Sequence, residues 1–172
     1  MRDVSQKRLI ALTGAESSGK TTLAMTLAKN LHAPLVAEAS RDLLVPGQPY
    51  GVDDVLRIAR EQVLRESEAL RQHAGWIVAD TDLLVIRIWL DERFDIWPDE
   101  LEQLWTIQEP RLHVLTVPEM PWETDPLREN PDDRHRLHAR YVEQLVALNC
   151  DWIEVGGSVA ERESQVLDRL QR

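Results

Sequence analysis

Cysteine is nearly absent from this sequence: Cys150 stands alone among 172 residues. One thiol closes no intramolecular disulfide, so nothing points to an oxidising compartment and the cytoplasm is the expected location. Long apolar runs are missing too. The longest, such as residues 83–86, fall far short of the roughly 20 residues that span a bilayer. Near the start, Arg2, Lys7 and Arg8 precede an apolar run, residues 9–12, that Thr13 and Gly14 interrupt before it reaches the length of a secretion signal. Positive charge is also scarce. Twenty Lys and Arg against 30 Asp and Glu leave a net charge of −10, which repels phosphate backbones and anionic lipid. Nucleic acid and membrane are therefore not expected partners. What is present suffices for a core: 43% of the residues are hydrophobic, an ordinary globular share, and residues 1–172 read as one domain.

Short apolar runs alternate with helical periodicities along the chain. Residues 8–13 (RLIALT), 34–37, 76–79, 112–117 and 152–155 read as five strands. Between them, the spacing of Leu23, Leu27, Ala28 and Leu31 predicts an amphipathic helix from Lys20. A second long helix is predicted from Asp53 to about His73, where Leu56, Ala59, Val63 and Leu70 recur at helical intervals. Residues 83–90 fit strand or helix and are assigned to helix. Further helices are expected at 99–107, after Pro98, at 135–148, and after the capping box of Ser158 and Glu161. Residues 118–133, rich in proline and charge, read as a mobile loop. Buried strands alternating with helices predict an α/β fold: a five-stranded parallel sheet with helices on both faces, in three layers.

One segment carries specific chemistry. Gly14-Ala15-Glu16-Ser17-Ser18-Gly19-Lys20-Thr21 fits the pattern G-x-x-x-x-G-K-[ST] and lies between a predicted strand and a predicted helix, as the mechanism of a phosphate loop requires. Its backbone N–H groups and the helix N-terminus are suited to cradle phosphates. Lys20 is expected to reach the β- and γ-phosphates of ATP and Thr21 to place its hydroxyl on Mg²⁺, with Thr22 beside it among the nucleotide-binding positions. The carboxyl ends of parallel strands open onto one edge, which brings Glu38, Asp80 and the loop after Val117 to the same place as Gly14. Asp80, after four mostly apolar residues, has the arrangement of a carboxylate presented to hydrated Mg²⁺. Asp82 has two readings: a second carboxylate of the catalytic site, or an ordinary N-cap for the helix that starts at Leu83. Glu38 is suited to hold an acceptor hydroxyl or take its proton, and Arg41 lies about one turn away if the chain is helical there.

The segment around Arg128, Arg134 and Arg136 concentrates cations in an acidic chain. Residues 122–136 are expected to form a lid, with Arg128 the cation placed over the transferred phosphoryl group and counted among both the catalytic and the nucleotide-binding residues. Gly156, in the turn after the fifth strand, completes the candidate nucleotide-binding set. His135 and His138 lack partners at metal-ligand spacing and are read as surface residues.

The segments GAESSGKTTLA, VAEASRDLL and VADTDLLV, followed by Trp122 and a DPLR loop, together resemble the ribosylnicotinamide kinase domain of the bacterial NAD-regulatory protein. The likeness runs from about Leu9 to the C-terminus, weakest between Phe94 and Pro110. It implies a P-loop kinase that phosphorylates the 5′-hydroxyl of nicotinamide riboside with ATP and Mg²⁺. It also implies that Glu38, Arg41, Asp80 and Asp82 line the acceptor pocket and metal site, and that Arg128 belongs to the lid. The family carries aromatic residues beside the strand-two arginine, where this chain has Ala39 and Leu43; Trp89, Trp122 and Tyr50 are the candidates to replace that stacking surface. The family's companion domains have no counterpart here, so a free-standing kinase domain with its own small-molecule nucleoside acceptor is expected. The competing reading is a nucleotide-binding switch or accessory ATPase that acts through a protein partner.

Overall fold

A computed structural model describes residues 8–119, 121 and 133–171. Five strands, β1 (Leu9–Thr13), β2 (Leu35–Val36), β3 (Ile77–Ala79), β4 (Arg111–Thr116) and β5 (Trp152–Val155), form one sheet in the order β2-β3-β1-β4-β5. Every pairing is parallel: Leu9 lies opposite Ile77 on one side and Arg111 on the other, and His113 lies opposite Trp152. A parallel sheet needs cover on both faces. The helices that supply it are α1 (Lys20–Asn30), α2 (Ser40–Leu43), α3 (Val52–Gln72), α4 (Leu83–Phe94), α5 (Asp99–Ile107), α6 (Arg134–Ala147) and α7 (Val159–Leu170).

The alternation along β1 decides which helices go where. Ile10 and Leu12 point to one face, where they pack with Leu23 and Leu27 of α1 and Val166 of α7. Leu9 and Ala11 point to the other, against Ala69 and Leu70 of α3. On that second face α4 bridges two clusters: Leu83, Ile86 and Leu90 pack on α3 and α5, while Leu84 and Ile88 pack on α6 through Leu137, Tyr141 and Leu145. All five β1 residues are buried, each large apolar side chain contributing roughly 1.5–3 kcal/mol relative to exposure. β1 is thus the rigid axis of the molecule, and the loop that leaves it at Thr13 starts from a fixed point.

The expected three-layer α/β architecture and its five strands are all present. The segment at residues 83–90 is helical and longer than expected, running to Phe94, where Asp95 in the left-handed region ends it. One element was not assigned from the sequence: the single-turn helix α2, directly after Glu38. Among the described residues no helix is long and apolar enough to cross a membrane.

Candidate active site

The loop between β1 and α1 folds over the carboxyl edge of the sheet. Gly14 has φ +133, and a Cβ there would stand 2.8 Å from Thr116 Oγ1 and 3.1 Å from the Thr116 carbonyl oxygen. The loop therefore lies directly on the end of β4, an approach only glycine permits. Ser18 Oγ sits 2.7 Å from the Ala15 carbonyl, to which it donates, and 2.5 Å from Thr116 Oγ1. Gly19, at φ +87, turns the chain into α1. The Lys20 ammonium donates to the carbonyls of Gly14 (2.9 Å) and Ala15 (2.7 Å), which holds it across the mouth of the loop.

Two arginines brace the loop from outside. Arg134, at the start of α6, donates to the Ser17 carbonyl at 3.2 Å. Arg162 of α7, whose side chain is 1% exposed, joins three segments: Nη1 donates to Ser18 O (2.5 Å), Nη2 to Val117 O (3.0 Å) and Nε to Gly157 O (2.9 Å). Arg162 was not singled out from the sequence. Its one signal is position, since it lies four residues before Val166 on the buried stripe of α7.

In front of the loop is a cavity of about 450 Å³. Residues 14–22 form one wall, Glu38, Ser40, Arg41 and Thr81 the strand-end wall, and Val85, Ile88, Trp89, Glu92 and Arg93 of α4 with Leu137 and Tyr141 of α6 the third. The structure thus brings Gly14, Ala15, Glu16, Ser17, Ser18, Gly19, Lys20, Thr21, Thr22, Glu38 and Arg41 to one place, as expected. The Glu38 carboxylate accepts from Ser40 Oγ at 2.5 Å and lies 3.6 Å from Arg41 Nε, a pairing that the turn of α2 makes possible. Trp89 faces the cavity and is fixed from behind: its indole N–H donates to Tyr50 OH at 3.1 Å, with the two rings edge to face at 5.4 Å. Of the aromatic candidates among the described residues, Trp89 is on the wall, with Tyr50 its support. Tyr141 is buried, and burial together with the charges of Asp82, Glu16, Glu38 and Glu92 raises its pKa well above the ordinary value.

Asp80 stands at the end of β3, 7% exposed. Burial lifts its pKa to about 6, against the opposing pull of a Thr21 hydrogen bond and the Lys20 charge. Its Oδ1 has no partner among the described residues. A buried carboxylate with a spare oxygen, next to the Thr21 hydroxyl, is the hard-oxygen donor set that Mg²⁺ takes when phosphates and waters supply the remaining ligands. No cluster of three or more His, Cys, Asp or Glu able to form a self-sufficient metal cage exists among the described residues. The residues fit a cation that arrives with its nucleotide.

Three expectations change. Asp82 is not a cavity carboxylate: it is 0% exposed, its Oδ1 accepts from Val85 N (3.0 Å) and Thr13 Oγ1 (3.2 Å), and its Oδ2 is 2.7 Å from His113 Nδ1. Burial alone would raise its pKa, but the His113 hydrogen bond and nearby charge hold it below the usual carboxylate value. Of its two readings the N-cap is the one realised, and the catalytic assignment is withdrawn because its oxygens are already engaged and enclosed. Gly156 is not among the residues that line the cavity; its N–H donates to Gln165 Oε1 (3.3 Å), its carbonyl accepts from Gln165 Nε2 (3.0 Å), and an added Cβ would meet Glu119 at 3.2 Å. His138, read as a surface residue, has a side chain only 16% exposed and pairs with Glu154. Arg128, Trp122 and residues 122–132 of the expected lid lie outside the described residues.

A profile of the AAA_28 family, an AAA domain, matches residues 9–162. The chain belongs to this AAA domain family. The match begins at β1 and ends at the loop-bracing Arg162, so it takes in both the phosphate loop and its distal support. No curated protein matches the sequence. Among solved structures, the NadR protein in complex with NR superposes with a TM-score of 0.70 at 20% identity over 96% of this chain and 49% of that one. The NadR protein with NAD and AMP-PNP gives 0.69 at the same identity and coverage. The deoxyadenosine kinase of M. mycoides with bound dCTP gives 0.65 at 15% identity, covering 95% of this chain and 98% of that one. At these identities the likeness establishes the P-loop kinase fold. The chain spans about half the length of the NadR chains it resembles.

Proposed function

We propose that this chain is an ATP-dependent kinase that transfers the γ-phosphoryl group to the 5′-hydroxyl of a nucleoside, with nicotinamide riboside the favoured acceptor. The observation that carries the reading is a cavity with a phosphate loop on one wall and, on another, a carboxylate, Glu38, presented just past the end of β2, with β3 between it and β1. A hydrolytic switch needs only room for one water beside such a carboxylate, whereas the cavity of about 450 Å³ between the two walls leaves space for a second substrate.

The division of labour follows from the chemistry. The loop N–H groups and Lys20 hold the phosphates and neutralise charge as it develops on the γ-phosphoryl group. Glu38 accepts the hydrogen bond of the attacking hydroxyl and takes its proton, while Arg41 and Ser40 fix the carboxylate's direction. Asp80 and Thr21 would hold Mg²⁺, which when bound would supply positive charge to offset that of the phosphates. Arg134 already touches the loop at Ser17, and Arg128 is proposed to complete the cationic cover from the lid. Catalysis of this kind is mostly positioning. A nicotinamide ring carries positive charge in its riboside, which suits the face of Trp89 and the carboxylates of Glu16, Glu38 and Glu92 that line the same cavity. The NadR structure in complex with NR supports the same choice.

The decisive measurement is ADP release from Mg·ATP across nicotinamide riboside, ribonucleosides and deoxyribonucleosides. A kinase releases ADP at a substantial rate only with its acceptor, and nicotinamide riboside is expected to be the most active. Slow hydrolysis indifferent to every nucleoside would instead identify a switch or accessory ATPase.

A further inference from the structure

Between Asp80, suited to the metal, and Asp82, the helix cap, stands a residue with no assignment. Thr81 is 2% exposed, lies on the cavity wall, and its Oγ1 has no hydrogen-bond partner among the described residues. A buried hydroxyl without a partner is destabilising, and a valine of the same shape would avoid the penalty. Its place in the sheet tells what the hydroxyl can meet. β2 and β3 pair with Val36 opposite Ala79, and the Asp80 N–H donates to the Val36 carbonyl at 2.9 Å. Two residues beyond that last pair, past the ends of β2 and β3, come Glu38 and Thr81. Both line the same cavity.

The two side chains are complementary. An ionised carboxylate only accepts hydrogen bonds, whereas a threonine hydroxyl donates one and accepts others. A sugar hydroxyl that donates to Glu38 still has lone pairs, of which one attacks and another accepts. We infer that the Thr81 hydroxyl donates to the acceptor hydroxyl that faces Glu38, so that the attacking group is held between the two side chains. This rests on the kinase reading and adds to it a residue that discriminates a hydroxylated sugar from a group unable to accept.

The test compares Thr81→Val, which keeps the shape, and Thr81→Ser, which keeps the hydroxyl, in the full chain with nicotinamide riboside and deoxyadenosine as acceptor probes. For Thr81→Val, kcat/KM for the active acceptor should fall about tenfold, the scale of one buried hydrogen bond, with Thr81→Ser within about threefold of wild type. The KM for ATP and the Mg²⁺ dependence should not change, and the ligand-free Tm of Thr81→Val should equal or exceed that of wild type. A lower Tm would show that the hydroxyl has a structural partner and overturn the inference. Unchanged acceptor kcat/KM would do so too, as would a loss that higher Mg²⁺ restores, which would place the hydroxyl in the metal's water shell. Wild-type protein that ignores every nucleoside would refute the kinase reading itself, whereas active wild type with an indifferent Thr81→Val refutes only the role of Thr81.

Discussion

The two polar walls of the cavity handle their hydrogen-bonding groups in opposite ways. In the phosphate loop, Ser18 bonds to Ala15 and sits against Thr116, Lys20 bonds to two carbonyls, and the carbonyls of Ser17 and Ser18 are taken by Arg134 and Arg162. At the end of β3, Asp80 and Thr81 each keep a buried atom without a hydrogen-bond partner among the described residues, although Asp82 beside them engages a backbone N–H, a hydroxyl and an imidazole. The loop's shape is thus fixed by protein contacts before any ligand arrives, which reduces what binding must order. The β3 end stores bonding capacity that destabilises the free protein and is recovered when a ligand completes it. Preorganisation governs one wall and unsatisfied polarity the other.

The contrast is open to attack at several points. The largest effect is expected from Glu38→Gln, which keeps the shape and removes the base: kcat with the best acceptor should drop roughly 10²–10⁴-fold. The thermal shift induced by Mg·ATP should persist, because Glu38 belongs to the acceptor side. Near-wild-type turnover would remove Glu38 from the chemistry.

Next in size is Arg162→Met, which strips the brace from the loop and leaves the carbonyls of Ser18, Val117 and Gly157 without it. Loss of about 3–5 kcal/mol of stability is expected from unfolding curves, together with weaker nucleotide binding in the variant that still folds. If stability falls and nucleotide affinity per folded molecule does not, the loop sets its own shape and preorganisation by Arg162 is wrong.

The smallest effect has the opposite sign. Because burial lifts the Asp80 pKa from 3.8 to about 6, the folded protein holds a proton between about pH 4 and pH 6 that the unfolded chain has released. Its contribution to the stability of the ligand-free protein is therefore complete below pH 4 and lost as pH rises through 6. Asp80→Asn should raise the ligand-free Tm at pH 8, by roughly 1–3 kcal/mol in stability, and not at pH 4. The same variant should lose Mg²⁺-dependent turnover. A Tm difference that is the same at both pH values would show that Asp80 carries no stored penalty.

Much of this was legible in the sequence because it is local. The phosphate loop is contiguous, and strand-loop-helix context follows from the residues on either side of it. Asp82 as a cap was likewise readable from its place before Leu83. What escaped is what depends on distant parts of the chain: the partnership of Arg162 with Ser18, the stacking of Trp105 on His113 behind Asp82, and the cavity wall that Thr81 shares with Glu38. Helix α2 was missed as an element for a different reason. Four residues present too little periodicity to register, yet that one turn is what folds Arg41 back toward Glu38.

Ser18 and Arg162 are separated by 144 positions. During synthesis the loop emerges 144 residues before its clamp, so a nascent chain carries the complete nucleotide motif well before it carries the means to hold it in shape. Nucleotide affinity is then a late acquisition of folding, reached only after α7 docks beside α1. The order in which the ribosome delivers the parts gives this enzyme-like site an interval in which the signature is present and the site is not.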